Sequence, residues 1–444
     1  MRWPAKEFDK PQGRANDRPF FSKRMSETEN YPGFRWLVLI LASLGFICMQ
    51  LICLSVTPLV PAIATSLQTD PGTATNLLMT SFLLSSSLMW ILGGGYLCDR
   101  FGVLVVLNLG FLCQAVPAAL MPWIGVSPAG VFGARLVEGL SAGLMFPAMP
   151  TIVNSLFPPR LKGIANGLMN SSIAVGSSAG VFLGPLVLTL VGGDWKWMSA
   201  TLSIFVWVCF IFGLILFFAL NSKLPRPPSA ATDRTGRSAY RKELVSPYTI
   251  LGVLVTFIAA WCMQCLYGIT AGYLASSKPL GAGYSAMIAG QLMLGVTLLA
   301  GVTGPILSGF LLDKAFKGNA RPVLLIGYFL MCVFVYLLIH PAVAGNVVLL
   351  EIALILAGYG VMFAYPAIFY LIAGSYPPQI VGKMSGLWGG IGAFGGVLGL
   401  FLAGVSVKSQ GSYSTTLTLQ SVVALLGFVL TFLLIRFKNL REAT

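Results

Sequence analysis

The sequence predicts an all-α membrane protein with twelve transmembrane helices in two pseudo-symmetric six-helix bundles. Three observations lead there. Of the 444 residues, 56% are hydrophobic and 9% charged, with a mean hydropathy of +0.84; a water-soluble fold cannot cover that much apolar surface. Apolar runs of about 20 residues, enough for a helix to cross a ~30 Å hydrocarbon layer, recur twelve times. Landmarks of the first half also return, in order, in the second.

Residues 1–35 are basic and lack an apolar core, so they read as a cytoplasmic tail and not a cleavable signal. Apolar runs follow at 36–57, 76–98, 103–122, 129–152, 164–190 and 198–220, which together make an N-terminal half, 36–220. Segment 221–247, rich in Pro, Ser and Arg, has the composition of a solvated linker. Runs at 248–273, 286–312, 322–340, 346–372, 383–405 and 415–436 make the C-terminal half, 248–437, and residues 438–444 form a short cytoplasmic tail. Each run must be helical, because an open strand edge leaves polar backbone unsatisfied in lipid.

The halves share three landmarks. Cys48-Met49-Gln50 returns as Cys262-Met263-Gln264, and Gly95-x-x-x-Asp99-Arg100 as Gly309-x-x-x-Asp313-Lys314, both 214 residues on. Phe157-Pro158-Pro159 is echoed by Tyr376-Pro377-Pro378 at a slightly larger offset. Three landmarks in one order indicate an internal duplication.

The net charge of +14 does not form a nucleic-acid patch, because it follows the membrane topology. With the N-terminus inside, 24 of the 28 Lys and Arg fall on cytoplasmic segments. Only Lys196, Lys278 and Lys408 fall outside, and Arg135 lies within a helix. The positive-inside bias therefore places both termini in the cytoplasm, in a cell inner membrane. The eight cysteines lie in or beside apolar runs and read as small hydrophobes. Cys262-x-x-Cys265 has metal-like spacing, but no second Cys pair or His lies nearby, so no metal or other cofactor is expected. Phosphate-loop and nucleophile signatures are absent, which argues against ATP use and against an enzyme.

Gly95-Tyr-Leu-Cys-Asp99-Arg100-Phe-Gly102, between the second and third helices, resembles the signature loop of the major facilitator superfamily. Arg135-x-x-Glu138-Gly139-x-x-x-Gly143 in the fourth helix is similar to the arginine-glycine motif of that family. Gly176-x-x-x-Gly180-x-x-x-Gly184-Pro185 partly resembles the motif of drug/proton antiporters, while its late position in the helix looks more like the anion:cation symporter branch. Val103 and Leu104 depart from the family by standing where basic residues are usual. The resemblance implies a monomeric secondary active transporter in the lipid bilayer, alternating access around a central site. Its partners would be a small-molecule substrate and protons or another coupling ion. A drug/proton antiporter, or a non-transporting sensor or scaffold on the same fold, are the alternatives. It also implies that Gly95, Asp99, Arg100, Gly102, Gly309 and Asp313 act in gating, the two aspartates facing helix N-termini of the opposite half.

Ionisable groups within a membrane are costly and usually face a cavity or a partner. Arg135 and Glu138, three apart, share a helix face. In the functional reading Arg135 attracts an anionic solute, organic or inorganic, and Glu138 exchanges a proton; a permanent structural pair is the competing reading. Glu351, near the outer end of the tenth helix, is a second candidate for proton coupling, or else an interfacial carboxylate reaching water. His340, the single histidine, lies at the outer end of the ninth helix and reads as an interface residue. Gln50 and Gln264 are repeat-related amides suited to hydrogen-bonding a solute or to joining helices. Tyr267, Asn166 and Tyr365 complete the candidate substrate contacts, with Asn76, Asn170 and Gln291 behind them. The glycine-dense faces of the fifth and eleventh helices suit a smooth rocking interface between the halves, though static close packing would produce them as well.

Overall fold

A computed structural model describes residues 32–91, 95–158, 161–224, 240–241, 243–376 and 378–443. Among them, the regular elements are all helical. The long ones are α1 (Arg35–Ser66), α2 (71–101), α3 (Val103–Ile124), α4 (Pro128–Leu156), α5 (Lys162–Leu190), α6 (Trp195–Leu220), α7 (Pro247–Ala275), α8 (Ala286–Ala315), α9 (Ala320–Leu337), α10 (Val347–Ser375), α11 (Pro378–Gln410) and α12 (Tyr413–Ala443). Eleven of them hold an unbroken stretch apolar and long enough to cross a membrane. In α2 the helix is described in pieces, Pro71–Thr75, a π-helical turn Asn76–Thr80, Ser81–Met89 and Gly95–Phe101.

Several helices start earlier than hydropathy predicts, because polar caps precede the apolar runs. Asp70 caps α2 with a bond from Thr73 N (2.8 Å), with Pro71 in the first turn. Ser127 does the same for α4 and Asp194 for α6. Helix α1 runs past its expected end as a broken helix. Pro58 and Pro61 supply no N–H, so the main helix ends at Leu54 and a 3-10 turn leads into Val60–Ser66. Helix α9 stops sooner than expected, and His340 forms the N-cap position of a separate short helix, Pro341–Ala344.

The first six helices pair α1 with α5 and α6, α3 with α4 and α6, and α2 with α4. The last six repeat these pairings: α7 with α11 and α12, α9 with α10 and α12, α8 with α10. The course of the helices puts α1's start, α6's end, α7's start and α12's end on one face, here the terminal face; the opposite one is the distal face. The aromatic-Pro-Pro landmark has a structural meaning. Phe157 packs edge-on against Trp36 at the start of α1, with ring centroids 5.2 Å apart. Its counterpart Tyr376 meets Tyr248 and Trp388 at 6.1 and 6.2 Å and bonds Thr249 (2.6 Å) at the start of α7. In each half, then, the turn after the fourth helix is pinned to the first helix on the terminal face.

Most of the glycines on these faces act within a half, which is static close packing and not a sliding interface; Gly390 and Gly396 of α11 also face the other half. A Cβ on Gly176 would lie 2.6 Å from Ile47 O of α1, and one on Gly184 would overlap Ser55 O. Gly392, Gly395 and Gly399 press likewise on Thr256, Phe257 and Trp261 of α7. Residues four apart stay on one helix face, and here that face meets the partner helix of the same half.

Contacts between halves use two of the α11 glycines and several other residues. At the distal end of α2, Gly72 abuts Gly404 O of α11, and Lys408 Nζ lies 3.9 Å from Asp70 Oδ2. Farther along, Leu83 and Ile91 touch the positions of Gly396 and Gly390. Between α5 and α8, Ser178 Oγ donates to Thr297 Oγ1 (2.7 Å), Val181 O abuts Gly290, and Ala174 packs on Gly301. These α5–α8 contacts lie in the middle and distal parts of both helices. Toward the terminal face, a Cβ added to Gly167 of α5, Gly309 of α8, or Gly386 or Gly389 of α11 would meet nothing within 4 Å among the described residues.

Candidate functional site

Where α1, α2 and α4 meet, the backbone carries unpaired carbonyls. The proline break leaves Ile52, Cys53 and Leu54 at the end of a helix, where the last four C=O groups lack intrahelical partners. Thr57 Oγ1 donates to Leu54 O (2.8 Å). Arg135 shares Ile52 O with Ser55 Oγ (3.2 Å), its Nη1 donating there at 3.4 Å, and its Nη2 donates to Cys53 O (3.1 Å). Its Nε donates to Leu78 O (2.7 Å), inside the π-helical turn of α2. Nη1 also meets Glu138 Oε2 at 2.7 Å, and the guanidinium carbon stands 5.2 Å over the Phe82 ring. Arg135 is 2% exposed and Glu138 0%. Only arginine's planar fork reaches carbonyls on two helices and a carboxylate together. Glu138 Oε1 is buried and has no hydrogen-bond partner among the described residues.

The candidate amides divide. Gln50 Nε2 donates to Ser177 Oγ of α5 (2.8 Å), joining helices of one half. Its repeat partner Gln264 packs on the Gly396 position, is half-buried, and makes no hydrogen bond among the described residues. Asn166 and Asn170 are exposed on α5. They lie roughly opposite, around the helix, to the exposed apolar side chains Ile164, Leu168 and Val175. That places the amides on the inward side and the apolar residues toward lipid. Tyr267 is buried in α7 and Tyr365 half-buried in α10. Asn76 lies in the π-helical turn of α2, its Oδ1 accepting from Thr80 Oγ1 (2.9 Å), and Gln291 is exposed on α8.

Glu351 is far from the Arg135 junction in the fold. It stands one turn into α10 from the distal face, half-buried, with its carboxyl against Gly295 of α8. Of the gating candidates, Gly102 has φ +87°, which favours glycine at the α2–α3 turn. Arg100 is exposed, its Nη1 donating to Tyr96 OH (3.1 Å) with Phe101's ring 5.3 Å away. Asp313 is exposed in a π-helical turn, and no hydrogen bond or ion pair reaches it among the described residues. Gly95 and the side chain of Asp99 lie outside the residues whose surroundings are described. Sequence reasoning missed Ser178–Thr297, Asp70–Lys408 and the Gly295 notch. Only Asp70 carried a local signal, as a cap residue before proline.

The sequence pattern of the Major Facilitator Superfamily matches residues 36–350 and 283–443. A bacterial homolog to the human lysosomal transporter Spinster, solved in an inward-facing, unoccupied conformation, shares the fold with a TM-score of 0.70 at 14% identity, over 91% of this chain and 98% of that one. The chain is 28% identical over 170 residues to the probable anion transporter 4, chloroplastic, of Arabidopsis thaliana, covering 37% of this chain and 31% of that protein. It is 28% identical over 155 residues to the quinolone resistance protein NorB of Staphylococcus aureus, covering 35% and 32%. The match thus spans about a third of the length of these curated relatives. The repeat-related pairings, the Arg135 junction at the motif position and the match along nearly all of 36–443 lead to one assignment: this chain belongs to the Major Facilitator Superfamily.

Proposed function

We propose that this protein is a secondary active transporter that moves a small organic solute by alternating access, with protons as the coupling ion and Arg135–Glu138 as the coupling pair. The sealed pair carries this reading. A charge pair buried in a membrane is expensive to maintain unless all its polar atoms are satisfied. Glu138 Oε1 has no hydrogen-bond partner among the described residues, so one oxygen remains for a proton. Protonation there removes the attraction to Arg135 Nη1 and loosens the junction of α1, α2 and α4. The positive-inside bias supports a cytoplasmic terminal face, toward which the inward side of α5 stands open.

For the solute, the geometry favours an uncharged amphipathic molecule exchanged for protons over an anion. Arg135 is the one buried cation among the described residues, and its N–H groups serve three carbonyls and Glu138. Asn166, Asn170 and Gln264 offer hydrogen bonds without charge. An anion placed among them would be desolvated without compensation. Partial similarity to a quinolone resistance protein agrees with this. Partial similarity to an anion transporter supports the second reading, in which a neutral Glu138 frees Arg135 for an anionic solute.

Purified protein in proteoliposomes with an imposed pH gradient tests both. Wild type should move neutral aromatic amphiphiles and dissipate the gradient, while Glu138→Gln should exchange solute without moving protons. Gradient-driven accumulation of anions above matched neutral compounds would reverse the choice of solute. If neither solute nor protons move, the transport reading fails.

A further inference from the structure

Helix α8 enters the bundle from the distal face as a regular helix to Gly295 and then widens into π-helix over Val296–Thr303. The two sides of that wide segment serve different halves. Thr297 and Gly301 meet Ser178 and Ala174 of α5. Val296 and Ala300 lie against Gly358 of α10, and Thr303 Oγ1 is 2.6 Å from Tyr359 OH. Through this segment, and through Gly290 on the regular helix before it, the C-terminal half touches α5.

At its entrance stands Glu351, the fifth residue of α10. The carboxyl fills the space that a side chain on Gly295 would need, since a Cβ there would collide with Oε1. Oε2 is buried without a hydrogen-bond partner. Titratable groups on the neighbouring elements do not bond it. Tyr273 and Tyr284 donate to Leu338 O and Ala344 O (both 2.9 Å), and neither Tyr336 nor His340 makes a hydrogen bond or ion pair with it. A neutral carboxyl suits such a notch. A carboxylate does not, and water at the distal face is only about 6 Å along the helix.

We propose that Glu351 and Gly295 position α8 against α5, so that the distal side is held closed while the carboxyl is seated in the notch and released when it ionises and leaves. Glu351 is then a sensor of pH on the distal side, separate from the coupling pair. The closure it controls belongs to the alternating-access reading, but the contact itself can be measured without any solute.

The test is a distance measurement by pulsed electron resonance on the full chain in lipid nanodiscs. Nitroxides are attached through p-acetylphenylalanine at positions 190 and 288, exposed sites near the distal ends of α5 and α8. Between about pH 5 and about pH 8, the wild-type distribution should shift to longer separations. Glu351→Gln, neutral at every pH, should stay at the short separation throughout. Gly295→Ala should displace the flexible carboxyl and give the long separation even in acid. A wild-type distance that ignores pH overturns the proposal. So does a Glu351→Gln protein that keeps the wild-type response, or a Gly295→Ala protein indistinguishable from wild type. If the distances respond as stated while Glu138→Gln still couples protons to solute, the choice of coupling pair fails and this inference stands.

Discussion

Arg135 has five N–H groups and no acceptor, so its position is decided by where carbonyls lack partners. Two of the carbonyls it serves come from the proline break in α1, where Ile52 O also accepts from Ser55 Oγ, and one from the π-helical turn in α2. Removing the side chain takes a donor from each of these carbonyls and leaves Glu138 without its cation. Arg135→Ala should therefore lower stability by about 3–5 kcal/mol, read as a fall in the thermal midpoint of the purified protein. Arg135→Lys should recover only part, since an ammonium cannot span the same partners; full recovery would show that charge alone matters. On the distal face, Asp70 has a different role. Burial pushes its carboxyl up, but the Thr73 hydroxyl and N–H and the nearby Lys408 outweigh that and hold it below the usual carboxylate range. Its contribution is thus present at neutral pH and is lost as pH falls through that lowered value. Asp70→Ala should cost about 1 kcal/mol, mostly as a lost cap. The partly exposed pair with Lys408 adds less than about 1 kcal/mol, so Lys408→Ala should change stability much less than Asp70→Ala. Equal effects in a thermal-shift comparison would contradict this.

At the scale of helices, the glycines of α5 separate into two kinds. Gly184 meets backbone, Ser55 O, which cannot swing aside; Gly167 meets nothing within 4 Å. Gly184→Ala should push α5 away from α1 and reduce the yield of folded protein. Gly167→Ala should be neutral or stabilising by about 0.5–1 kcal/mol from helix propensity. Comparable damage from both, by size-exclusion profile and thermal midpoint, would refute the assignment of faces. This division was not legible in the sequence, where both glycines sit in the same apolar helix. Hydropathy located all twelve helices because the need to satisfy backbone in lipid leaves few options. It misplaced ends wherever a cap such as Asp70 or Asp194 lies outside the apolar run, and it could not see the break in α1 as the reason for Arg135's position. Arg135 and Glu138 stood out as charges in an apolar helix, but the partners of Arg135 on α1 and α2 lie 57 to 83 residues away in the chain. Glu351 was legible for the same reason, whereas Gly295, one glycine among 50, had nothing to mark it.

For the whole molecule, the described contacts between halves give a direction. Across the distal part they include an ion pair, a hydroxyl–hydroxyl bond and backbone set flush at Gly72 and Gly290; Ile91 meets the Gly390 position past the middle, while Gly167, Gly309, Gly386 and Gly389 stand clear among the described residues. Under alternating access this is one of two arrangements, reached by tilting the halves about the α2–α11 and α5–α8 seams. The most direct measurement is a pair of distances followed together by pulsed electron resonance in nanodiscs. One pair of labels, at Gln68 and Ser409, reports the distal face; the other, at Arg100 and Ala315, reports the terminal face, and all four sites are exposed. Two populations are expected on each face, with the distal pair lengthening in the conditions in which the terminal pair shortens. Single, unchanging distances on both faces would contradict alternating access, as would two faces that open together.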